Sequence, residues 1–80
     1  MLEKLRSARK VVGTRRLLKA VEAGEVAEVY VARDCDLFLY RQVTEACRAA
    51  GVRVVECDTM KQLGEACVVE VKTASAGILR

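Results

Sequence analysis

The sequence predicts an α/β domain in which short apolar strands alternate with amphipathic helices. Three observations support this fold class. Apolar residues recur at helical spacing in two segments, 14–23 and 36–50. The continuous run Val29–Ala32 is typical of a strand that is covered on both faces. Glycines separate the helical segments from the extended ones. This alternation favours parallel strand pairing with right-handed crossovers, and hence an α/β sandwich.

The first part of the chain contains a helix, a strand and a second helix. The segment from Leu2 to Lys10 has the spacing of a short helix, and Val11 and Val12 form a short strand that stops at Gly13. The next helix is predicted from Thr14 to Ala23, with Gly24 just beyond its end. Its apolar side consists of Leu17, Leu18, Ala20 and Val21.

The middle of the chain continues with a strand and a longer helix. The strand runs from Glu25 to Arg33, and either Asp34 or Asp36 caps the helix that follows. Gly51 ends that helix. The side chains predicted to be buried along it are Leu39, Val43, Ala46, Cys47 and Ala50.

The remaining segment is predicted to form two strands around a short helix. The first strand runs from Val52 to Cys57, and Thr59 and Gln62 have the spacing of a capping box at the start of the helix. Residues 68–72 form a loop or the edge of a strand, and the small apolar residues 73–79 form the last strand. We therefore treat residues 1–80 as one domain.

Charge is distributed unevenly along the chain. The net charge is only +3, but residues 1–20 carry seven basic side chains against one acidic side chain. Residues 21–80 carry seven basic and ten acidic side chains. A polyanion is the natural partner of such a basic segment. A membrane surface fits less well, because no long amphipathic helix carries bulky apolar anchors.

Composition also excludes several kinds of site. The chain has no histidine, which removes Cys-His and Ser-His-Asp catalysis and histidine metal ligands. The four cysteines are isolated in sequence, so we expect buried, reduced thiols and no metal or other cofactor. With no signal peptide and no apolar run of membrane-spanning length, a cytoplasmic protein is expected.

The start of the second helix is the strongest candidate binding site. Arg15, Arg16 and Lys19 cluster on one side of its first turns. Cations are locally unfavourable at a helix N-terminus, where unpaired N–H groups already carry positive charge. An anionic ligand would contact these side chains and the free N–H groups together. Gly13 has no Cβ, so a ligand could approach its backbone closely.

Four short motifs occur in the order found in one protein family. They are Gly13-Thr14-Arg15-Arg16-Leu17-Leu18-Lys19, Val29-Tyr30-Val31-Ala32-Arg33-Asp34, Lys61-Gln62-Leu63-Gly64 and Val69-Glu70-Val71. Through them the whole chain resembles the kink-turn RNA-binding ribosomal proteins, such as archaeal L7Ae, eukaryotic L30e and their small bacterial relatives. The resemblance implies a three-layer α/β/α sandwich. Its four-stranded sheet is mixed, and the last strand runs antiparallel.

The resemblance also implies a function. A kink-turn is an RNA bend flanked by sheared G·A pairs, and the family reads those guanines with the start of the second helix. A second loop, here residues 67–71, covers the flipped-out bulge nucleotides. By this resemblance the RNA-binding residues are Gly13, Thr14, Arg15, Arg16, Lys19, Arg33, Val69, Glu70 and Val71. The implied protein is a non-enzymatic monomer that binds rRNA or an mRNA leader and associates with the ribosome.

Three positions depart from the family pattern. Arg15 and Arg16 stand where archaeal members carry Asn-Glu, and an arginine can only donate hydrogen bonds. Recognition here would therefore use guanine O6 and N7 or phosphate oxygens as acceptors. Val68 replaces a glycine that is common in relatives, which would stiffen the loop.

Two other function classes remain open from the sequence. One is a small enzyme with a similar α/β sandwich fold, since certain chorismate mutases share this architecture. The sequence shows no recognisable pair of acid and base residues that would support it. A protein-interaction module is the other, because an acidic protein could use the same basic surface.

Overall fold

Helices and strands alternate over residues 3–80, which the computed structural model describes. In chain order they are α1 (Glu3–Ser7), β1 (Lys10–Val12), α2 (Thr14–Glu22), β2 (Val26–Ala32), α3 (Leu37–Ala50), β3 (Arg53–Cys57), α4 (Met60–Ala66) and β4 (Ser75–Leu79). The predicted elements are all present, and their ends differ from the predicted ones by at most three residues. Leu2, predicted to begin the first helix, lies outside the described residues.

The four strands form one mixed sheet in the order β1-β4-β2-β3. Among the described residues, parallel pairing, which the alternation of strands and helices predicts, occurs only between β2 and β3. β4 runs antiparallel to both of its neighbours, as the family resemblance implies. The chain folds back after α4, and the Thr73 N–H donates to the Met60 carbonyl at 3.1 Å. β4 therefore starts at the end of the sheet where β3 finished and must run in the opposite direction.

Helices cover both faces of the sheet, which confirms the three-layer α/β/α architecture. On one face α2 and α3 pack Leu17 and Val43 against Val29 and Val31. On the other face α1 and α4 pack Leu5 and Leu63 against Tyr30 and Ala32. Each apolar side chain in this set is at most 1% exposed. The predicted apolar side of α2 is confirmed, with Leu18 half-buried beside it.

A glycine in β4 sets how closely α2 approaches the sheet. A Cβ on Gly77 would lie 2.6 Å from Cδ1 of Leu17 and 3.1 Å from Cγ1 of Val26. Because Leu17 is fully buried, it has no free space into which to move. The missing side chain of Gly77 therefore allows α2, which carries the basic residues, to pack directly on the sheet.

Two predictions about α3 need correction or refinement. Ala50 was predicted to be buried but is exposed, because it is the last residue of the helix and the chain turns away at Gly51. Of the two candidate caps, Asp36 caps α3, and its carboxylate accepts from the N–H groups of Phe38 and Leu39 at 2.8 and 3.3 Å. Asp34 instead accepts from the Met60 N–H at 2.8 Å, at the start of α4.

Candidate nucleic-acid interface

One end of the sheet collects four connections, and we call it the loop end. Gly13 follows β1, Arg33 follows β2, Asp58 follows β3 and Ala74 precedes β4. These residues meet because β4 is antiparallel and therefore starts where the other strands finish. The starts of α2, α3 and α4 and the segment between α4 and β4 thus share the loop end. Both groups of predicted RNA-binding residues lie there.

The turn before α2 is fixed by backbone hydrogen bonds. Gly13 has φ 101° and ψ 139°, a conformation that a side chain would make unfavourable. Its N–H donates to the Ser75 carbonyl at 3.1 Å, and its carbonyl accepts from the Leu17 N–H at 2.9 Å. The first residue of β4 therefore holds the point at which α2 begins.

Thr14 reinforces the same turn with its side chain. Its Oγ1 lies 2.8 Å from Oγ of Ser75, which is fully buried. The half-buried Thr14 hydroxyl is therefore directed toward the sheet. Within the predicted set, Gly13 and Thr14 give the start of α2 a fixed position.

Three basic side chains extend into solvent from the first turns of α2. Arg15, Arg16 and Lys19 are exposed, while Leu17 is buried on the opposite side of the helix. Within residues 3–80 no carboxylate lies within 4.0 Å of any of these three cations. No acidic residue occurs in the first turn of α2, and no side chain among the described residues accepts a hydrogen bond from its N-terminal N–H groups. Unpaired cations and unpaired donors thus occupy one surface, which is the arrangement that an anionic ligand would satisfy.

The segment between α4 and β4 forms the second part of the loop end. It contains the half-buried Val69 together with exposed Glu70 and Val71. The Val71 carbonyl packs directly on α4 at Gly64, where a Cβ would come closer than 3.0 Å. A shallow pocket of about 270 Å³ lies here. Its lining residues are Lys61, Glu65, Val69, Glu70, Val71 and Lys72.

Arg33 is at the loop end but differs from the cations of α2, because it is paired. Its Nε donates to the Glu56 carboxylate at 3.0 Å, and one terminal nitrogen lies 3.9 Å from Asp58. Glu56 also accepts from the Tyr40 hydroxyl. The Tyr40 hydrogen bond, aided by Arg33, lowers the pKa of Glu56 below its ordinary value. Arg33 is 62% exposed, so a ligand could reach it, but its charge is already partly neutralised.

Some contributors to the loop end were not predicted from sequence. Lys61 and Lys72 add cations to the pocket beside Val71, and Asp34 joins the β2–α3 turn to α4. Ser75 fixes the start of α2 from a distance of 61 residues along the chain. Only the lysines carry a sequence signal: Lys72 directly follows the Val69-Glu70-Val71 motif, and Lys61 begins the Lys61-Gln62-Leu63-Gly64 motif. The other two contacts depend on the fold.

The described residues include neither a cluster of metal ligands nor a membrane-spanning helix. Residues 3–80 contain no group of three potential ligands that could hold a metal ion. All four cysteines are free, and burial raises the pKa of each thiol. No helix in the same range has the length and hydropathy to span a membrane.

Comparisons with known proteins identify a matching family model, similar sequences and a similar solved structure. A family model described as "Ribosomal protein L7Ae/L30e/S12e/Gadd45 family" matches residues 1–80. The RNA-binding protein YbxF of Geobacillus stearothermophilus is 42% identical over 76 residues, which are 95% of this chain and 93% of that protein. An RNA-binding protein of Geobacillus thermodenitrificans is 40% identical with the same coverage. A solved structure, the Giardia lamblia 15.5kD RNA binding protein, superposes with a TM-score of 0.90 at 29% identity, covering 99% of this chain and 70% of that one.

Proposed function

The chain belongs to the ribosomal protein L7Ae/L30e/S12e/Gadd45 family, and from this membership we propose that it is a non-enzymatic RNA-binding protein that recognises a kink-turn. The relatives named as RNA-binding proteins span nearly their whole length in the alignment, which supports RNA as the ligand class. The proposed ligand is a structured RNA with a kink-turn, such as an rRNA or an mRNA leader. We propose a monomeric, cytoplasmic protein that associates with the ribosome.

The observation that carries the proposal is the unpaired basic surface at the start of α2. Arg15 presents a planar fork that matches the O6 and N7 acceptors of guanine, and Lys19 presents a single ammonium one turn further along. Neither side chain is ion-paired with a carboxylate of residues 3–80, so neither has to leave such a partner before it binds RNA. The free N–H groups of the first turn add donors for a phosphate or a base edge.

The fixed turn at Gly13 supports base reading over a general attraction to charge. A hydrogen bond from the Gly13 N–H to the Ser75 carbonyl and one between the Thr14 and Ser75 hydroxyls hold the helix start in one position. Contacts with base edges need this kind of positioning, whereas contacts with phosphates tolerate more movement. The segment with Val69, Glu70 and Val71 lies at the same end of the sheet, where it would face nucleotides next to those that α2 contacts.

Titration of two RNAs with three variants tests the proposal. One RNA contains a kink-turn, and in the other the G·A pairs are replaced by Watson–Crick pairs. Arg15→Ala and Lys19→Ala should each cost about 1–3 kcal/mol on the kink-turn and much less on the second RNA. Arg48→Ala is the matched control, because it removes an exposed cation from the last turn of α3, at the other end of the sheet.

The outcomes separate the parts of the proposal. Equal losses of affinity for both RNAs would indicate that the α2 surface contacts only phosphates, and would refute recognition of the guanines. If neither variant lost affinity for either RNA, Arg15 and Lys19 would not contact the RNA. Circular dichroism of each variant checks that the fold is retained, as expected for side chains outside the buried side of α2.

A further inference from the structure

A long groove follows the open edge of strand β3. Among the described residues β3 pairs only with β2, so its other side has no neighbouring strand. Two adjoining cavities of about 460 and 490 Å³ lie along this side, and both are lined by Tyr40 and Glu56. The cavities therefore form one groove. Leu37, Thr44 and Arg48 complete its α3 side, because with Tyr40 they recur at steps of three and four residues.

The open edge of β3 also carries backbone groups that no strand satisfies. In a parallel ladder the N–H and C=O of one residue point to the same neighbour, and successive residues alternate between the two sides. The Cys57 carbonyl accepts from the Arg33 N–H at 2.8 Å, so Cys57 and Val55 bond toward β2. Val54 and Glu56 therefore direct their N–H and C=O groups away from the sheet. A row of such groups is the template on which an extended peptide adds as a new strand.

The side chains of the groove change in character along its length. Arg48 is exposed at one end, and no carboxylate of residues 3–80 lies within 4.0 Å of it. Val52 and Val54 are half-buried in the middle. Glu56 lies toward the loop end, where its carboxylate accepts from Arg33 at 3.0 Å. A strand laid in the groove would thus meet a cation, then an apolar surface, then a carboxylate.

We propose that this groove binds an extended peptide of a partner protein, which adds to β3 as a fifth strand. Peptide side chains that face α3 lie two residues apart. An acidic residue contacts Arg48, an apolar residue packs on Val54, and a hydroxyl residue donates to Glu56. The selected pattern is acid-x-apolar-x-hydroxyl. A nucleic acid fits the groove poorly, because Glu56 repels phosphates and the backbone groups of β3 match those of another peptide.

Fluorescence anisotropy with synthetic peptides tests the charge pattern. The probe is labelled Ser-Glu-Thr-Val-Thr-Thr-Ser, and its reversed sequence covers the other strand direction. The wild type should bind one of the two, and should bind the same peptide with Lys in place of Glu about 3–10-fold more weakly. Arg48→Glu should reverse this preference. Arg41→Glu is the matched control, because Arg41 is an exposed cation of α3 that does not line the groove, and it should keep the wild-type preference.

Two changes to the backbone test strand addition itself. Val54→Pro removes an outward N–H and no bond to β2, so it should weaken binding about 5–10-fold while circular dichroism shows the fold retained. A second measurement leaves the protein unchanged. The peptide is N-methylated either at its valine or at the next residue, and only one form should lose affinity, since alternate N–H groups of a strand face the same side.

Each of the other outcomes overturns the proposal. Wild type that binds neither peptide direction would show that the groove does not take this pattern. Equal effects of the two N-methylations would exclude strand pairing, and an unchanged preference in Arg48→Glu would exclude the acidic contact. Sedimentation equilibrium of the protein alone should show a monomer. A dimer that Val54→Pro dissociates would assign the edge to a second copy of the chain, and competition by an oligouridine would assign the groove to nucleic acid.

Discussion

Replacing Gly64 with alanine tests the contact that holds the segment between α4 and β4. Gly64 lies inside α4, and a Cβ there would come closer than 3.0 Å to the carbonyl oxygen of Val71. That oxygen belongs to the backbone, so no side-chain rotation removes the clash. Two hydrogen bonds also hold the segment to α4. The Val69 N–H donates to the Gly64 carbonyl and the Thr73 N–H donates to the Met60 carbonyl, each at 3.1 Å.

Two opposing contributions set the size of the effect. Overpacking in a fixed environment costs about 1–3 kcal/mol. Alanine returns about 1 kcal/mol, because it is a better helix former than glycine. We therefore expect Gly64→Ala to lower the free energy of unfolding by about 1 kcal/mol, which corresponds to a Tm lower by about 4–8 °C in a domain of this size.

Urea denaturation followed by circular dichroism measures this change. Ala49→Gly, at an exposed position of α3, gives the helix-propensity contribution in the same protein. If Gly64→Ala raised the free energy of unfolding by as much as Ala49→Gly lowers it, the new Cβ would meet no obstruction from the Val71 carbonyl oxygen. The close approach of the Val71 backbone to α4 would then be refuted.

Three further predictions follow from the surface charges and caps. Kink-turn binding should weaken as salt is added. If three to five phosphates are neutralised, log K should fall against log[salt] with a slope of about −2 to −4.5. Isothermal titration at several salt concentrations measures this slope, and an affinity that does not change with salt would contradict the electrostatic interpretation. Asp36→Ala should lower stability by about 0.5–2 kcal/mol, measured by urea denaturation, because α3 loses its side-chain cap; no change would contradict that role. Tyr40→Phe should raise the pKa of Glu56 toward its ordinary value, since its main cause of lowering is removed. A carboxylate with a lowered pKa stabilises the fold above its unfolded pKa and loses that contribution as pH falls through the folded pKa. The acid-induced loss of stability, compared by pH titration below about pH 4, should therefore be smaller in the variant than in the wild type.

The helices and strands could be predicted because their signals are local. The buried side of α2, the end at Gly24 and the apolar run of β2 each depend on residues within a few positions of one another. The antiparallel direction of β4 has no such signal and came from family resemblance. Ala50 was misassigned because helical spacing does not show where the sheet stops covering a helix.

The site was predictable in part, for the same reason. The cluster of Arg15, Arg16 and Lys19 is contiguous in sequence, and its exposure follows from the pattern of α2. The pairing of Arg33 with Glu56 joins residues 23 positions apart and depends on the register of β2 and β3. Val68 has a left-handed backbone, with φ 61°. This conformation was also hidden, because valine in an apolar run favours a strand.

The position of β4 has a consequence for the order in which the molecule is completed. β4 is an inner strand of the sheet, between β1 and β2, yet it follows them in the chain. During synthesis β1 therefore has no strand to pair with until residues 75–79 are available. The Gly13 turn also waits for Ser75, its hydrogen-bond partner. A nascent chain that stops before Ser75 would carry the cations of α2 without a fixed orientation, so the base recognition that we propose requires the last strand to be in place.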